Sequence, residues 1–138
     1  MLIHDDTLDR TTSGSGLVCD HTFDEITNLD AGYFFYKSKS TARVPSLRKV
    51  LKLITNKNKS INIELKPNKG LERLNVDKIV EEIKNFSLEN IFFSSFDLES
   101  CIYLKEKLPL ALCGFLNDDF SKITLKDTTD ICKRYDFF

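Results

Sequence analysis

The chain has 138 residues, of which 41% are hydrophobic and 30% charged, with a formal net charge of −1. That balance suits one soluble globular domain with a real core and offers no basic surface to a nucleic acid or an anionic membrane. No run approaches the roughly 20 apolar residues of a membrane span, and His4, Asp5, Asp6 and Asp9 occupy the place where a signal peptide would be apolar.

In chain order, Leu2-Ile3 reads as the tail of a strand that runs into polar residues at His4. From Asp5 to Val44 turn formers dominate, in Thr11 to Gly16 and again in Asp30-Ala31-Gly32. One short helix, Phe23 to Leu29 with Thr22 as its cap, interrupts this stretch. An excursion of that length inside a domain is a functional loop or a small inserted subdomain. Pro45 and Ser46 then open a helix with Leu47, Val50, Leu51 and Ile54 at helical spacing, ended by Asn58 and Ser60.

A strand is expected over Ile61 to Leu65, then a helix capped by Asn75 with Val76, Ile79, Val80 and Ile83 on one face. Ile91 to Phe93 is the next strand and ends in Ser94-Ser95. Asp97 caps a helix that Pro109 stops, and Leu110 to Leu116 is another strand. A last helix from Thr128 to Tyr135 leads to Phe137-Phe138, where a further strand would begin. Short strands that are apolar on both faces and alternate with helices imply a parallel sheet with helices over it. An open α/β sheet and a barrel segment fit this pattern equally.

Cys19, Cys101, Cys113 and Cys132 form no C-x-x-C pair and no zinc spacing, so four reduced and mostly buried thiols in a cytoplasmic protein are expected. His4-Asp5 lies where the first strand ends, the end at which parallel α/β folds build active sites. A lone histidine there is nonetheless more often a structural hydrogen-bonding residue, and His21 reads as a loop residue. Glu64 and Lys66, two apart on a strand, share one face and Pro67 places them at its rim. They are either an ion pair on a solvent-facing strand or a carboxylate and an ammonium that meet a ligand. Asp97 with Ser94-Ser95 reads first as a helix cap, and Thr11 to Gly16 lacks the spacing of a nucleotide-binding loop. Tyr33-Phe34-Phe35-Tyr36 would pack the insertion or wall a substrate site.

Five segments in order resemble one family. His4-Asp5 with Leu8, Arg10-Thr11-Thr12, Gly14 and Gly16 is similar to the H-D-x-x-L-x-R-T-(S/T)-x-G-x-G signature of glycerophosphodiester phosphodiesterases. Leu29-Asp30-Ala31-Gly32, Val44-Pro45-Ser46-Leu47, Asn62-Ile63-Glu64-Leu65-Lys66 and Ser94-Ser95-Phe96 resemble its later segments. The similarity runs along the whole chain and is nearest to the bacterial cytosolic type.

The resemblance implies a segment of a (β/α)8 barrel of the phospholipase C-like phosphodiesterase type, about strands 3 to 6, with an inserted loop region after the first strand. Such barrels typically need about 250 residues, so the H-R-G and E-x-D segments and the later strands would be missing. By the same resemblance His4 is a catalytic acid/base, Glu64 one of three metal-binding carboxylates and Lys66 a contact to the substrate phosphate. Asp5 would stand behind His4, and the metal would be calcium or magnesium. The implied reaction hydrolyses glycerophosphodiesters to glycerol 3-phosphate and an alcohol, in lipid and glycerol metabolism. The chain alone would be an incomplete, nearly inactive fragment, prone to self-association or pairing with a complementing chain through open barrel edges. Leu47, Ile61, Ile63, Phe92, Phe93, Leu110 and Leu112 are expected near the unfinished core. The rival expectation is a non-catalytic α/β interaction module derived from the barrel.

Overall fold

The computed structural model describes every residue except Asn56 and Asn58, so the expected helix break at Asn58 lies outside the described residues. The chain divides into two compact units, Met1–Leu53 and Ile54–Phe138.

The first unit is the long irregular excursion, folded around its own small core. Leu8, Ile26 and Val44 are buried there, with Ile3, Val18, Leu29 and Ala31 packed on them. Helix α1, Phe23–Thr27, begins in a capping box: the Thr22 hydroxyl accepts from the Glu25 amide while the Glu25 carboxylate accepts from the Thr22 amide. Helix α2, Tyr33–Tyr36, is a single turn whose aromatic rings are all exposed and pack edge-on within the run. Helix α3, Leu47–Thr55, buries Leu47 and Leu51. The expected strand tail at Leu2-Ile3 is irregular chain. A strand exists only where a neighbouring strand supplies ladder bonds, and the Leu2 amide donates instead to the Pro45 carbonyl at 2.9 Å.

The second unit is a parallel sheet of β1 (Ile61–Glu64), β2 (Ile91–Ser95) and β3 (Leu112–Phe115), in sequence order. Between the strands run α4 (Glu72–Ile83) and α5 (Leu98–Lys107), and α6 (Leu125–Tyr135) follows β3. Residues in register form rows across the sheet: Ile63, Phe93 and Cys113 in one, Asn62, Phe92 and Leu112 in the next, Glu64, Ser94 and Gly114 in the third. Because strand side chains alternate, the first row points to the face that α5 covers, and the other two point to the opposite face. The α5-side row is fully packed, with Phe93 and Cys113 at 0% exposure, together with Val76, Ile83, Cys101 and Leu104.

That division corrects the expected list of unfinished-core residues. Ile63 and Phe93 belong to the completed helix-side core, and Leu47 is buried as well. Phe92 is half-buried on the other face, where Leu112 remains 48% exposed, and Leu110 sits in the loop before β3 at 91%. Only two of the four thiols, Cys101 and Cys113, are buried. Cys132 is partly exposed, Cys19 is exposed, and none is in a disulfide. The bond to Cys113, with burial behind it, pushes the Cys101 thiol well up, which makes it a packing group and not a nucleophile.

Helix α4 starts a turn earlier than its sequence suggests. Gly70 takes a positive φ of 83°, the Glu72 carboxylate accepts from the Gly70 amide, and Asn75 lies inside the helix. Asn75 is therefore no cap, and its Oδ1 is buried without a partner. Replacing Asn75 with alanine should raise stability by roughly 0.5 kcal/mol through helix propensity, whereas loss of a true N-cap would cost about 1 kcal/mol. Thermal unfolding of the two proteins distinguishes the signs. Helix α6 also begins early, at Leu125, because Thr124 and Asp127 form a second capping box.

Candidate functional site

The signature around His4 divides into residues that fold the loop and residues left for chemistry. Leu8 is core, and the buried Thr12 hydroxyl donates to the Leu8 carbonyl at 2.8 Å while accepting from the Gly14 amide at 3.0 Å. A Cβ on Gly14 would come within 2.6 Å of Leu29, and Gly16 takes a φ of +90° that side chains disfavour. The Asp9 carboxylate accepts from the Gly16 amide. These contacts bend the chain so that Arg10 returns to the beginning of the segment.

There Arg10 grips Asp5 through two parallel bonds, Nε to Oδ2 at 2.6 Å and Nη2 to Oδ1 at 2.7 Å. Nδ1 of His4 lies 2.8 Å from Oδ1 of the same carboxylate. The Arg10 guanidinium, and after it His4, hold the Asp5 carboxyl well below the usual carboxylate range. Arg10 stands in the quoted signature, but sequence reasoning assigned it no role. Asp30 was also missed: its carboxylate accepts from the Gly32 amide and from both the amide and the hydroxyl of Ser40, which closes the aromatic turn. Those bonds, Ser40 foremost, lower its pKa. The Asp-Ala-Gly run is the signal that could have shown it. His21 is a loop residue as expected, with Nε2 at 3.2 Å from the Ser15 carbonyl.

Glu64 and Lys66 stand at the carboxyl end of β1, and Lys66 Nζ lies 3.4 Å from Glu64 Oε1, so the two share a side as their spacing predicts. Glu64 is in register with Ser94, whose hydroxyl accepts from Asn62 Nδ2 at 3.0 Å. The buried Ser95 hydroxyl donates to the Leu65 carbonyl at 2.8 Å and accepts from the Asp97 amide, tying the end of β1 to the start of α5. Asp97 caps α5 through the Ser100 amide. The two serines thus have different tasks: Ser95 locks the strand ends, and Ser94 lies beside Glu64. The structure joins His4 to Asp5 in the first unit, and Glu64 to Lys66 in the second.

The model of the glycerophosphoryl diester phosphodiesterase family matches residues 1–129. The chain belongs to that family. It is 38% identical over 117 residues to a glycerophosphodiester phosphodiesterase of Caldanaerobacter subterraneus subsp. tengcongensis, covering 84% of this chain and 48% of that protein. A Bacillus altitudinis glycerophosphodiester phosphodiesterase is 36% identical over 114 residues, with 78% and 45% covered. Among solved structures, an Oleispira antarctica phosphodiesterase in complex with the product sn-glycerol-3-phosphate superposes with a TM-score of 0.86 at 27% identity. That match covers 98% of this chain and 54% of the other. This member of the family therefore spans about half the length of the relatives it matches. Its strand–helix series is a segment of their (β/α)8 barrel, which settles the choice between barrel and open sheet. No helix among the described residues is long and apolar enough to cross a membrane.

Proposed function

We propose that the chain carries part of the active site of a phosphodiester hydrolase acting on glycerophosphodiesters, releasing glycerol 3-phosphate and an alcohol. The observation that carries the reading is the pair at the end of β1: a half-buried carboxylate and an ammonium 3.4 Å apart beside a buried hydroxyl, within the stretch that the family model matches. Strand ends of this kind are where barrel enzymes place their chemistry. In this reading His4 exchanges a proton with the substrate, Lys66 contacts the phosphate, and Glu64 offers a carboxylate to a divalent cation. Glu64 and Lys66 share the carboxyl end of β1, and the single domain would be the part of a barrel that lies between the H-R-G and E-x-D segments and the late strands. Four thiols outside any disulfide support a cytoplasmic setting.

Calcium and magnesium, the family's expected cations, want oxygen donors, roughly 6–8 of them for calcium. The residues present do not fit such a site: no group of three His, Cys, Asp or Glu side chains converges among the described residues, and Glu64 already faces Lys66. The chain alone is expected to bind calcium or magnesium no more tightly than a single carboxylate does, and to show no turnover. The relatives cover twice its length, and the exposed Leu112 and Phe138 beside the edge strand β3 favour self-association or a complementing chain.

Isothermal titration, light scattering and a glycerophosphocholine hydrolysis assay test these points together. Sub-micromolar metal binding by the chain would refute the incomplete site. A stable monomer that hydrolyses the substrate would refute the fragment reading while supporting the family chemistry. In a complex restored with the H-R-G and E-x-D segments, turnover should appear and Glu64→Gln should abolish it.

A further inference from the structure

We infer that Arg10 and Asp5 form a positioning clamp that fixes the ring nitrogen through which His4 works. The inference rests on the assignment of His4 as the proton-exchanging residue and adds how that residue is held. Asp5, kept ionised by a bidentate guanidinium, has only lone pairs to offer, so the nitrogen 2.8 Å from it, Nδ1 of His4, must be the donor. With Nδ1–H committed to the carboxylate, proton exchange with a substrate passes through Nε2. A carboxylate that orients an imidazole in this way is a recurrent device of acid–base catalysis.

The contact differs from an ordinary surface ion pair, which is single, mobile and worth little. Its two nitrogen–oxygen bonds are parallel and short, and the Asp5 side chain is only 21% exposed although His4 and Arg10 are 72% and 66% exposed. Arg10 reaches Asp5 only because the Thr12 and Gly16 turns bring it back, so the signature's folding residues serve the same clamp. Lysine at this position would keep the charge but lose the fork.

The chain contains an internal reference. His21 places Nε2, not Nδ1, against an acceptor, the Ser15 carbonyl, so the two histidines of the protein should adopt opposite neutral tautomers. Long-range 1H–15N correlation spectra of the 15N-labelled 138-residue chain, above the titration range of its imidazoles, read both directly. The expected spectrum has His4 mainly as the Nδ1–H form and His21 mainly as the Nε2–H form. In Asp5→Ala the Nδ1–H fraction of His4 should fall from majority to minority. Arg10→Gln should lower it partway, and Arg10→Lys should lie between Arg10→Gln and the parent. His21 should not change in any of them, which shows that the loop is still folded.

A parent chain with His4 in the Nε2–H form, or an Asp5→Ala spectrum with His4 unchanged, would overturn the clamp. None of these readings requires turnover, so absence of hydrolysis would count against the assigned chemistry and leave the clamp standing.

Discussion

Phe93→Ala should lower the stability of the β-sheet unit by about 3–5 kcal/mol, the cost of a large void in a core that cannot collapse around it. Phe93 is fully buried in the middle of the central strand, in register with Ile63 on one side and Cys113 on the other. Domains of this size have a total stability of roughly 5–15 kcal/mol, so the loss leaves little margin. Urea unfolding followed by circular dichroism measures it. Phe92→Ala is the informative neighbour: one residue earlier, on the opposite face, half-buried and edge-on to Phe138 at 6.2 Å between ring centroids. Its expected effect is a smaller loss of stability together with weaker self-association. Equal destabilisation by the two would mean that the two faces of the sheet are not distinguished as described.

Leu8→Ala should do comparable damage in the other unit, by about 2–5 kcal/mol. The core there is small, with Leu8 at 1% exposure beside Ile26 and Val44, and most of the backbone around it is turn and loop. Such a unit has few apolar contacts to spare. Amide hydrogen exchange should show Leu8 and Val18, whose amides donate to the Gly16 and Asp6 carbonyls at 2.9 Å, losing protection together. Survival of that protection would mean that the hydrogen-bonded turns, and not the apolar cluster, organise the loop.

Much of the fold was legible because its determinants are local. Thr22 and Asp97 cap helices as their residue types suggest, and of the periodic apolar positions of α3, Leu47 and Leu51 are buried while Val50 and Ile54 are half-buried. Three runs of apolar residues became three parallel strands with boundaries no more than two residues from those expected. The pairing of Glu64 with Lys66 followed from strand alternation alone.

The geometry of turns, which periodicity does not report, accounts for the misses. The Asn75 error arose because a good capping residue type also occurs inside helices, and only the turn at Gly70 shows where α4 begins. Arg10 could not be connected with Asp5 by periodicity, since it is the Thr12 and Gly16 turns that bring the two together. Composition, motif order and local periodicity were enough for the family, the parallel α/β architecture and the placing of Glu64 at the end of an apolar strand. Tertiary structure decided which face of the sheet each apolar side chain occupies. A period of two separates Phe92 from Phe93 but does not say which of them α5 will cover. That choice belongs to the packing of the whole unit, where covering Ile63, Phe93 and Cys113 leaves Glu64 and Ser94 on the other side.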